Sequence, residues 1–169
     1  IYNKYSEEDI FKLKNKSYID QTYKKITDFE KAREVLDNHI ENKKKILLFG
    51  DYDVDGSCSV AMLAKYLKFR NAKFEYFIPN RIKDGYGPNI ELLKHFRTQN
   101  FKLIIFIDCG SNANKEIDYL NKFNISSIII DHHKLFNLNI KPTVFINPLK
   151  NTKYLKYKNF CSTNLVFFF

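Results

Sequence analysis

Residues 46–50, ILLFG, run directly into DYDVDG at 51–56, and together these two segments decide the fold. The first five residues are apolar or small, which is typical of a strand buried on both faces. An acidic turn follows, and Ser57 is expected to cap the helix after it. Because three carboxylates within five residues repel one another unless cations neutralise them, the turn is a candidate cation site. Those carboxylates belong to Asp51, Asp53 and Asp55.

The alternation of apolar strand and amphipathic helix repeats along the chain. Further strands are predicted at 74–78, 103–107, 125–130 and 144–146, with helices at about 57–69, 89–99 and 113–123. Strands and helices that alternate at this spacing favour parallel pairing with right-handed crossovers. The sequence therefore predicts an α/β fold, with a parallel β-sheet of about five strands and helices on both faces.

Length and composition indicate one ordinary domain. The 169 residues are 44% hydrophobic, which is enough for a real core. The polar residues 1–27 are expected to form an N-terminal arm, and residues 28–169 the domain. No apolar run approaches the roughly 18 residues of a membrane span, and the first residues lack a signal-peptide pattern, so no membrane and a cytoplasmic location are expected.

The net charge and the cysteines give little evidence about function. The net charge of +9 suits a polyanionic partner, but most of the 28 basic residues are lysines scattered along the chain. The three cysteines are far apart and odd in number, which favours reduced thiols over a disulfide framework or a zinc cluster. They are Cys58, Cys109 and Cys161.

Polar residues with metal-binding or phosphate-binding chemistry follow the ends of four predicted strands. In a parallel sheet those ends share one edge, where ligands bind. Carboxylates with imidazoles are ligands for Mn²⁺, Zn²⁺, Fe²⁺ or, with fewer nitrogens, Mg²⁺, and two ions bridged by a carboxylate can hold both oxygens of an in-line phosphoryl displacement. An EF-hand is excluded because Met62, not a glutamate, stands at the twelfth loop position. The residues are Asp51, Asp53, Asp55, Arg81, Asp108, His132 and His133.

Four blocks of sequence carry a resemblance to a known family: GDYDVDG at 50–56, PNRIKDGYGPN at 79–89, IDCG at 107–110 and DHH at 131–133. On these blocks the chain resembles the DHH phosphoesterase superfamily, and within it the RecJ family of single-strand-specific 5′→3′ DNA exonucleases of DNA repair and recombination. The resemblance implies a Rossmann-like DHH domain that hydrolyses phosphodiesters of single-stranded DNA with divalent metal. It implies Mn²⁺ ahead of Mg²⁺, two ions in the complete enzyme, and a DNA-repair helicase or single-strand-binding protein as further partners.

The resemblance also implies roles for individual residues. His133 would support the substrate phosphate or the catalytic water, Arg81 would bind a phosphate, and Asp108 would bridge two metals. Asp131 is expected to orient an imidazole from behind the metal site. The implied metal ligands are Asp51, Asp53, Asp55, Asp108 and His132.

The chain departs from the family pattern at its end. The family's fourth ligand, an aspartate well beyond the DHH triplet, has no counterpart before Phe169. The chain is therefore expected to be the N-terminal part of a longer enzyme, without the C-terminal substrate-binding domain. The remainder of that enzyme would cover the apolar residues 165–169. As a fragment it is expected to turn over poorly or not at all.

Two alternatives stay open. One is a DHH phosphoesterase of small substrates, namely oligoribonucleotides, cyclic dinucleotides, adenosine bisphosphate or pyrophosphate; those members more often begin the first motif with histidine, where this chain has Asp51. The other is a non-catalytic nucleic-acid-binding module. The intact aspartates and histidines disfavour that module, and the missing fourth ligand favours it.

Overall fold

The computed structural model describes residues 27–136, 139–151 and 157–169. Of the predicted N-terminal arm at 1–27, all but the final residue lies outside the described residues. The elements, in chain order, are α1 (Thr27–Glu41), β1 (Ile46–Phe49), α2 (Val54–Phe69), β2 (Phe74–Phe77), α3 (Ile90–Thr98), β3 (Leu103–Ile107), α4 (Asn114–Lys122), β4 (Ser126–Ile130), β5 (Val144–Ile146) and α5 (Ser162–Phe168).

The five strands form one parallel sheet in the order β2-β1-β3-β4-β5, which confirms the predicted sheet. The order reverses at β1, because the chain leaves it for β2 on one side and returns to β3 on the other. Phe49, the last residue of β1, is opposite Phe106 near the end of β3. The turns after β1 and β3 are therefore neighbours at the carboxyl edge, where open α/β sheets bind ligands.

Helices cover both faces of the sheet, as predicted. Ile46 and Leu48 face the layer formed by α1, α2 and α5, whereas Leu47 and Phe49 face α3 and α4. None of these four β1 side chains is more than 1% exposed. Burial of each such side chain contributes about 1.5–3 kcal/mol, so the sheet is a rigid base for the turns at its edge.

The start of α2 corrects the sequence prediction. The helix begins at Val54, not after Ser57, and its N-cap is Asp53, whose Oδ1 accepts a hydrogen bond from the Gly56 amide at 2.8 Å. The Ser57 amide already donates to the Asp53 carbonyl at 2.9 Å, as in a helix. Asp55 therefore belongs to the first helical turn and not to an extended acidic loop. The N-cap of α3 is Asn89, the first residue of the predicted helix at 89–99, and its side chain accepts from the Leu92 amide at 2.9 Å.

The C-terminal residues form α5, which packs against α2 and the sheet. Leu165 and Val166 are 1% and 6% exposed within the chain's own core, whereas Phe167 is 61% exposed. The domain thus buries part of its apolar C-terminal end by itself. That a further part of the protein covers the rest of this end stays a prediction. In the described part of the chain, no helix combines the length and apolarity that a membrane span needs.

Candidate metal centre

The turn after β1 holds two of the predicted ligands. Asp51 is 5% exposed, its Oδ1 accepts from the Tyr52 amide at 2.7 Å, and burial raises the pKa of its carboxyl group. Asp53 is exposed and caps α2. Gly56 allows the first turn of α2 to approach Asp51, because a Cβ at Gly56 would lie 2.6 Å from the Asp51 carbonyl oxygen.

Asp108, in the turn after β3, is the most constrained carboxylate of the site. Its backbone has φ +62°, a left-handed conformation that aspartate tolerates better than most side chains. The side chain is 1% exposed, and burial raises its pKa. Oδ1 accepts from the Ser162 hydroxyl at 2.9 Å, whereas Oδ2 is buried without a hydrogen-bond partner among the described residues. A buried carboxylate oxygen without a donor fits a site for a cation.

The DHH triplet follows β4, and its aspartate organises the turn. Asp131 is fully buried and accepts from the amides of Ser111, His132 and His133 and from His133 Nδ1 at 2.7 Å. Burial alone would raise the pKa of Asp131, but the bonds from His133 and Ser111 outweigh it and lower the pKa. The bond from Asp131 in turn raises the pKa of His133 to about 9. Asn147 supports the turn, donating to the Ser111 hydroxyl and the His133 carbonyl at 2.8 and 2.9 Å.

The turns after β1, β3 and β4 bring their side chains together in two overlapping sets. Asp51, Asp53 and Asp108 form one, and Asp108, His132 and His133 form the other; within each, the ligand atoms lie within 4.8 Å of one another. His132 Nε2 is 3.3 Å from Asp108 Oδ1, and this contact raises the pKa of His132. Asp108 belongs to both sets, as a carboxylate shared between two cations would.

Asp55 lies beside these sets and outside both. Its Oδ2 accepts from the Ser162 amide at 2.8 Å, and its Oδ1 accepts from the Thr163 amide at 2.8 Å and hydroxyl at 2.6 Å. Burial would raise the pKa of Asp55, but the bonds from Thr163 and Ser162 outweigh it and lower the pKa. Oδ2 is still only 3.6 Å from His132 Nε2. Asp53 and Asp55 project in different directions, because Asp53 caps α2 and Asp55 binds the start of α5.

Sequence reasoning missed the contribution of Ser162 and Thr163 to the site. They hold two predicted ligands, Asp55 and Asp108, although Ser162 and Asp55 are 107 positions apart in sequence. No local pattern could reveal a contact across that distance; the one available signal was a helix start near the end of the chain.

The loop after β2 closes one side of the centre. The guanidinium of Arg81 lies 5.3 Å from the ring centre of Tyr52, beside the acidic turn, and makes no ion pair with the described carboxylates. The hydroxyl of Tyr86 is 3.3 Å from His133 Nδ1 and 3.5 Å from the Asp108 carbonyl oxygen. The structure thus brings Arg81 to the rim of the centre, and brings Tyr86, which was not predicted as a site residue, into contact with His133.

Carboxylates and imidazoles gather in the turns at the carboxyl edge of this parallel sheet. Comparison with known protein families shows to which family a chain with this arrangement belongs. Residues 45–169 match the model of the DHH family, N-terminal domain. The chain belongs to the DHH family, which confirms the resemblance seen in the sequence.

The individual relatives are exonucleases. The single-stranded-DNA-specific exonuclease RecJ of Bacillus subtilis (strain 168) is 33% identical over 105 residues, which are 62% of this chain and 13% of that protein. The Escherichia coli (strain K12) enzyme of the same name is 29% identical over 112 residues, 66% of this chain and 19% of that protein. This chain thus spans less than a fifth of the length of these relatives.

Two solved structures share the fold of this chain. The crystal structure of an exonuclease RecJ bound to manganese matches with a TM-score of 0.74 and 28% identity, over 81% of this chain and 34% of that one. A RecJ from Thermus thermophilus in complex with Mn²⁺ shares the fold with a TM-score of 0.70 and 24% identity, over 83% of this chain and 20% of that one.

Proposed function

We propose that this chain is the DHH catalytic part of a metal-dependent phosphodiesterase that removes nucleotides from the 5′ end of single-stranded DNA. One observation carries the proposal: Asp108 belongs to both sets of potential ligands, and its buried Oδ2 has no hydrogen-bond partner among the described residues. The proposal is supported by relatives that are named single-stranded-DNA-specific exonucleases.

The donor set fits Mn²⁺, the ion named in the two RecJ structures. Carboxylate oxygens with the imidazole nitrogen of His132 suit Mn²⁺ better than a thiol-rich set would. The residues that would hold the ion are Asp51, Asp53, Asp108 and His132. Asp55 lies beside them, and the start of α5 orients its side chain. When bound, such ions lower the pKa of water and neutralise charge that develops on a phosphoryl group.

The protein's own residues prepare the phosphate for attack. In the metal-free protein the bond to Asp131 raises the pKa of His133 to about 9, so the ring is protonated there at neutral pH, with its Nδ1 bound to Asp131. Its Nε2–H is therefore the group left to donate to a phosphate oxygen. Arg81, exposed at the rim, supplies a second positive group for a neighbouring phosphate. In the hydrolysis, water adds to phosphorus and the bond to the 3′ oxygen of the terminal nucleotide breaks.

The test is an exonuclease assay with Mn²⁺ on single strands labelled at the 5′ or the 3′ end. It uses this chain and, in parallel, the longest natural form of the protein. We expect the longer form to release mononucleotides from the 5′ end and to lose that activity in Asp108→Ala, and this chain by itself to turn over slowly or not at all. His95→Ala is the matched control, because His95 is exposed on α3 and takes no part in the centre.

Three outcomes would contradict the proposal. Faster hydrolysis of a dinucleotide or of pyrophosphate than of long DNA would favour the small-substrate phosphoesterase. DNA binding without hydrolysis, surviving Asp108→Ala, would favour the non-catalytic module. Release from the 3′ end alone would contradict the proposed polarity.

A further inference from the structure

Three adjacent β-strands each begin directly after a lysine. Lys45 precedes β1, Lys73 precedes β2 and Lys102 precedes β3, and the pairing register aligns the first residues of the three strands. Because neighbouring strands are about 4.8 Å apart, these lysines stand side by side at the amino edge of the sheet, opposite the edge with the metal centre. Lys43 and Lys44, in the loop before β1, line the same surface. The fold thus gathers lysines that are scattered in the sequence.

The five lysines surround a shallow cleft of about 550 Å³, here called the lysine cleft. Glu75 is the only carboxylate among its described lining residues, and its Oε1 is bound to Lys45 Nζ at 2.7 Å. The other four lysines are exposed and make no ion pair with the described residues. The lysine cleft is therefore strongly positive.

The helix ends at this edge do not balance that charge. α1, α2 and α3 end beside the three loops that carry the lysines, and the C-terminal end of a helix favours nearby basic side chains. Each helix end carries roughly half a negative charge, so three of them offset about one and a half of the four unpaired lysine charges. The remaining positive charges repel one another, and an anionic partner would relieve that repulsion.

The lining of the lysine cleft disfavours a protein as that partner. Protein interfaces are depleted in lysine and depend on buried aromatic or arginine anchors. The one apolar side chain among the described lining residues is that of Phe74, which is half-buried, and none of them is an arginine. Exposed lysines suit a phosphate backbone, because released counterions drive that binding and the contacts need no fixed geometry.

We infer that the lysine cleft binds the sugar–phosphate backbone of nucleic acid, as a second contact surface separate from the metal centre. The inference goes beyond the proposed function, because this surface needs neither metal nor a free 5′ end. Lys45 and Asp51 are six positions apart along β1 and its turn, so the two surfaces are about 20 Å apart at 3.3 Å per residue. At about 3.4 Å per stacked nucleotide, a DNA strand needs at least about six nucleotides to contact both.

The test compares two variants that lose the same net charge at different places. The test variant replaces one lysine from each of the three loops, through Lys44→Gln, Lys73→Gln and Lys102→Gln. The control variant replaces one exposed lysine from each of the helices before those loops, through Lys31→Gln, Lys65→Gln and Lys94→Gln. A difference between the two variants therefore reports the position of the charges.

Binding of a thirty-residue oligothymidylate is measured by fluorescence anisotropy between 50 and 200 mM salt, with EDTA to remove metal. Each phosphate contact contributes about 0.7 to the slope of log K against log salt concentration, so three contacts make the wild-type slope steeper than that of the test variant by about 2. Across this range the wild-type affinity should fall about 20-fold more than that of the test variant.

The control variant and a variant with arginine in place of the same three loop lysines should both keep the wild-type slope. An oligomer of abasic residues should bind the wild type as well as oligothymidylate does, because phosphate contacts carry no base information.

Two results would overturn the inference. Equal salt slopes in the test and control variants would show that only the net charge matters. Weaker binding of a glutamate decapeptide, with unchanged binding of oligothymidylate, in the test variant would assign the lysine cleft to an acidic protein.

The outcomes separate this inference from the proposed function. Metal-independent binding that requires the three lysines supports the lysine cleft even if the protein hydrolyses no DNA, a failure that refutes only the proposed function. Hydrolysis of DNA by the wild type, with unchanged binding in the test variant, refutes only the lysine cleft.

Discussion

Replacing Asp108 by asparagine should stabilise the metal-free protein while removing its response to metal. Asparagine tolerates the left-handed backbone at this position as aspartate does, and its amide oxygen can keep the bond from Ser162. The amide nitrogen would take the place of the unpartnered Oδ2, within reach of the other acidic side chains. The substitution therefore removes a buried charge with little change of shape.

The expected gain follows from the charges around Asp108. Two unit charges 4.8 Å apart, the limit within the acidic set, repel by about 3.5 kcal/mol at an effective dielectric constant of about 20. The contacts with His132 at 3.3 Å and His133 at 4.0 Å offset such repulsion, but burial still raises the pKa of Asp108, so its charged form remains the less stable one in the metal-free protein. Because Asp53 is exposed and screened, we expect a net gain of about 1–2 kcal/mol.

The assay is unfolding by heat and by urea at neutral pH, in EDTA and again with excess Mn²⁺. In EDTA, the variant should melt about 2–8 °C above the wild type, as this gain predicts for a domain of this size. With Mn²⁺ at about a hundred times its dissociation constant, the wild type should gain about 2.7 kcal/mol and the variant almost nothing. The order of stability therefore reverses.

Lower stability of Asp108→Asn in EDTA would refute the reasoning, because it would mean that the charge of Asp108 is satisfied without metal. An equal gain from Mn²⁺ in both proteins would show that the ion binds elsewhere.

Three further perturbations test the surroundings of the centre. Ser162→Ala should lower the free energy of unfolding by about 1.5–3 kcal/mol, because the Ser162 hydroxyl donates to the buried carboxylate of Asp108. Ser59→Ala loses a hydrogen bond to a neutral hydroxyl, so it should lower the free energy of unfolding by only about 0.5–1.5 kcal/mol. Gly56→Ala should cost about 1–3 kcal/mol and weaken Mn²⁺ binding, since the new methyl group collides with Asp51. The pKa of His133 is raised from 6.5 to about 9, so its protonated ring stabilises the folded protein. This contribution to the free energy of unfolding is complete below pH 6.5 and is lost as the pH rises through 9. NMR titration of the ring in EDTA measures its pKa.

Each of these has a clear contrary result. Equal losses in the two serine variants would remove the special role of the hydroxyl at the start of α5. A glycine variant with wild-type stability and Mn²⁺ affinity would show that the first turn of α2 can move away from the acidic turn. A histidine ring that titrates at its ordinary pKa would mean that its bond to the buried carboxylate of the triplet does not persist in solution.

The fold could be predicted from the sequence because its signals are local. Residues 46–50 are apolar or small throughout, as a strand covered on both faces requires, and Asn89 marks the start of α3. The start of α2 was misplaced because Ser57 and Asp53 are both good caps, and the choice between them depends on how Asp51 packs against Gly56.

The candidate site could be predicted only as a set of residues. Parallel pairing places the ends of β1, β3 and β4 at one edge, so the convergence of Asp51, Asp108 and His132 follows from topology. The contacts of Ser162 with Asp55 and Asp108 could not be predicted, because they depend on tertiary packing of α5 against residues far away in sequence.

Direct measurement of Mn²⁺ binding tests the central claim, that the carboxyl edge of the sheet holds divalent metal through Asp108. Free Mn²⁺ is followed by its electron paramagnetic resonance signal as protein is added at mildly alkaline pH, for the wild type, Asp108→Asn and the control His95→Ala. Saturable binding by the wild type and the control, lost in Asp108→Asn, is the result we predict. Binding that is equal in all three proteins, or absent from the wild type, would contradict the claim.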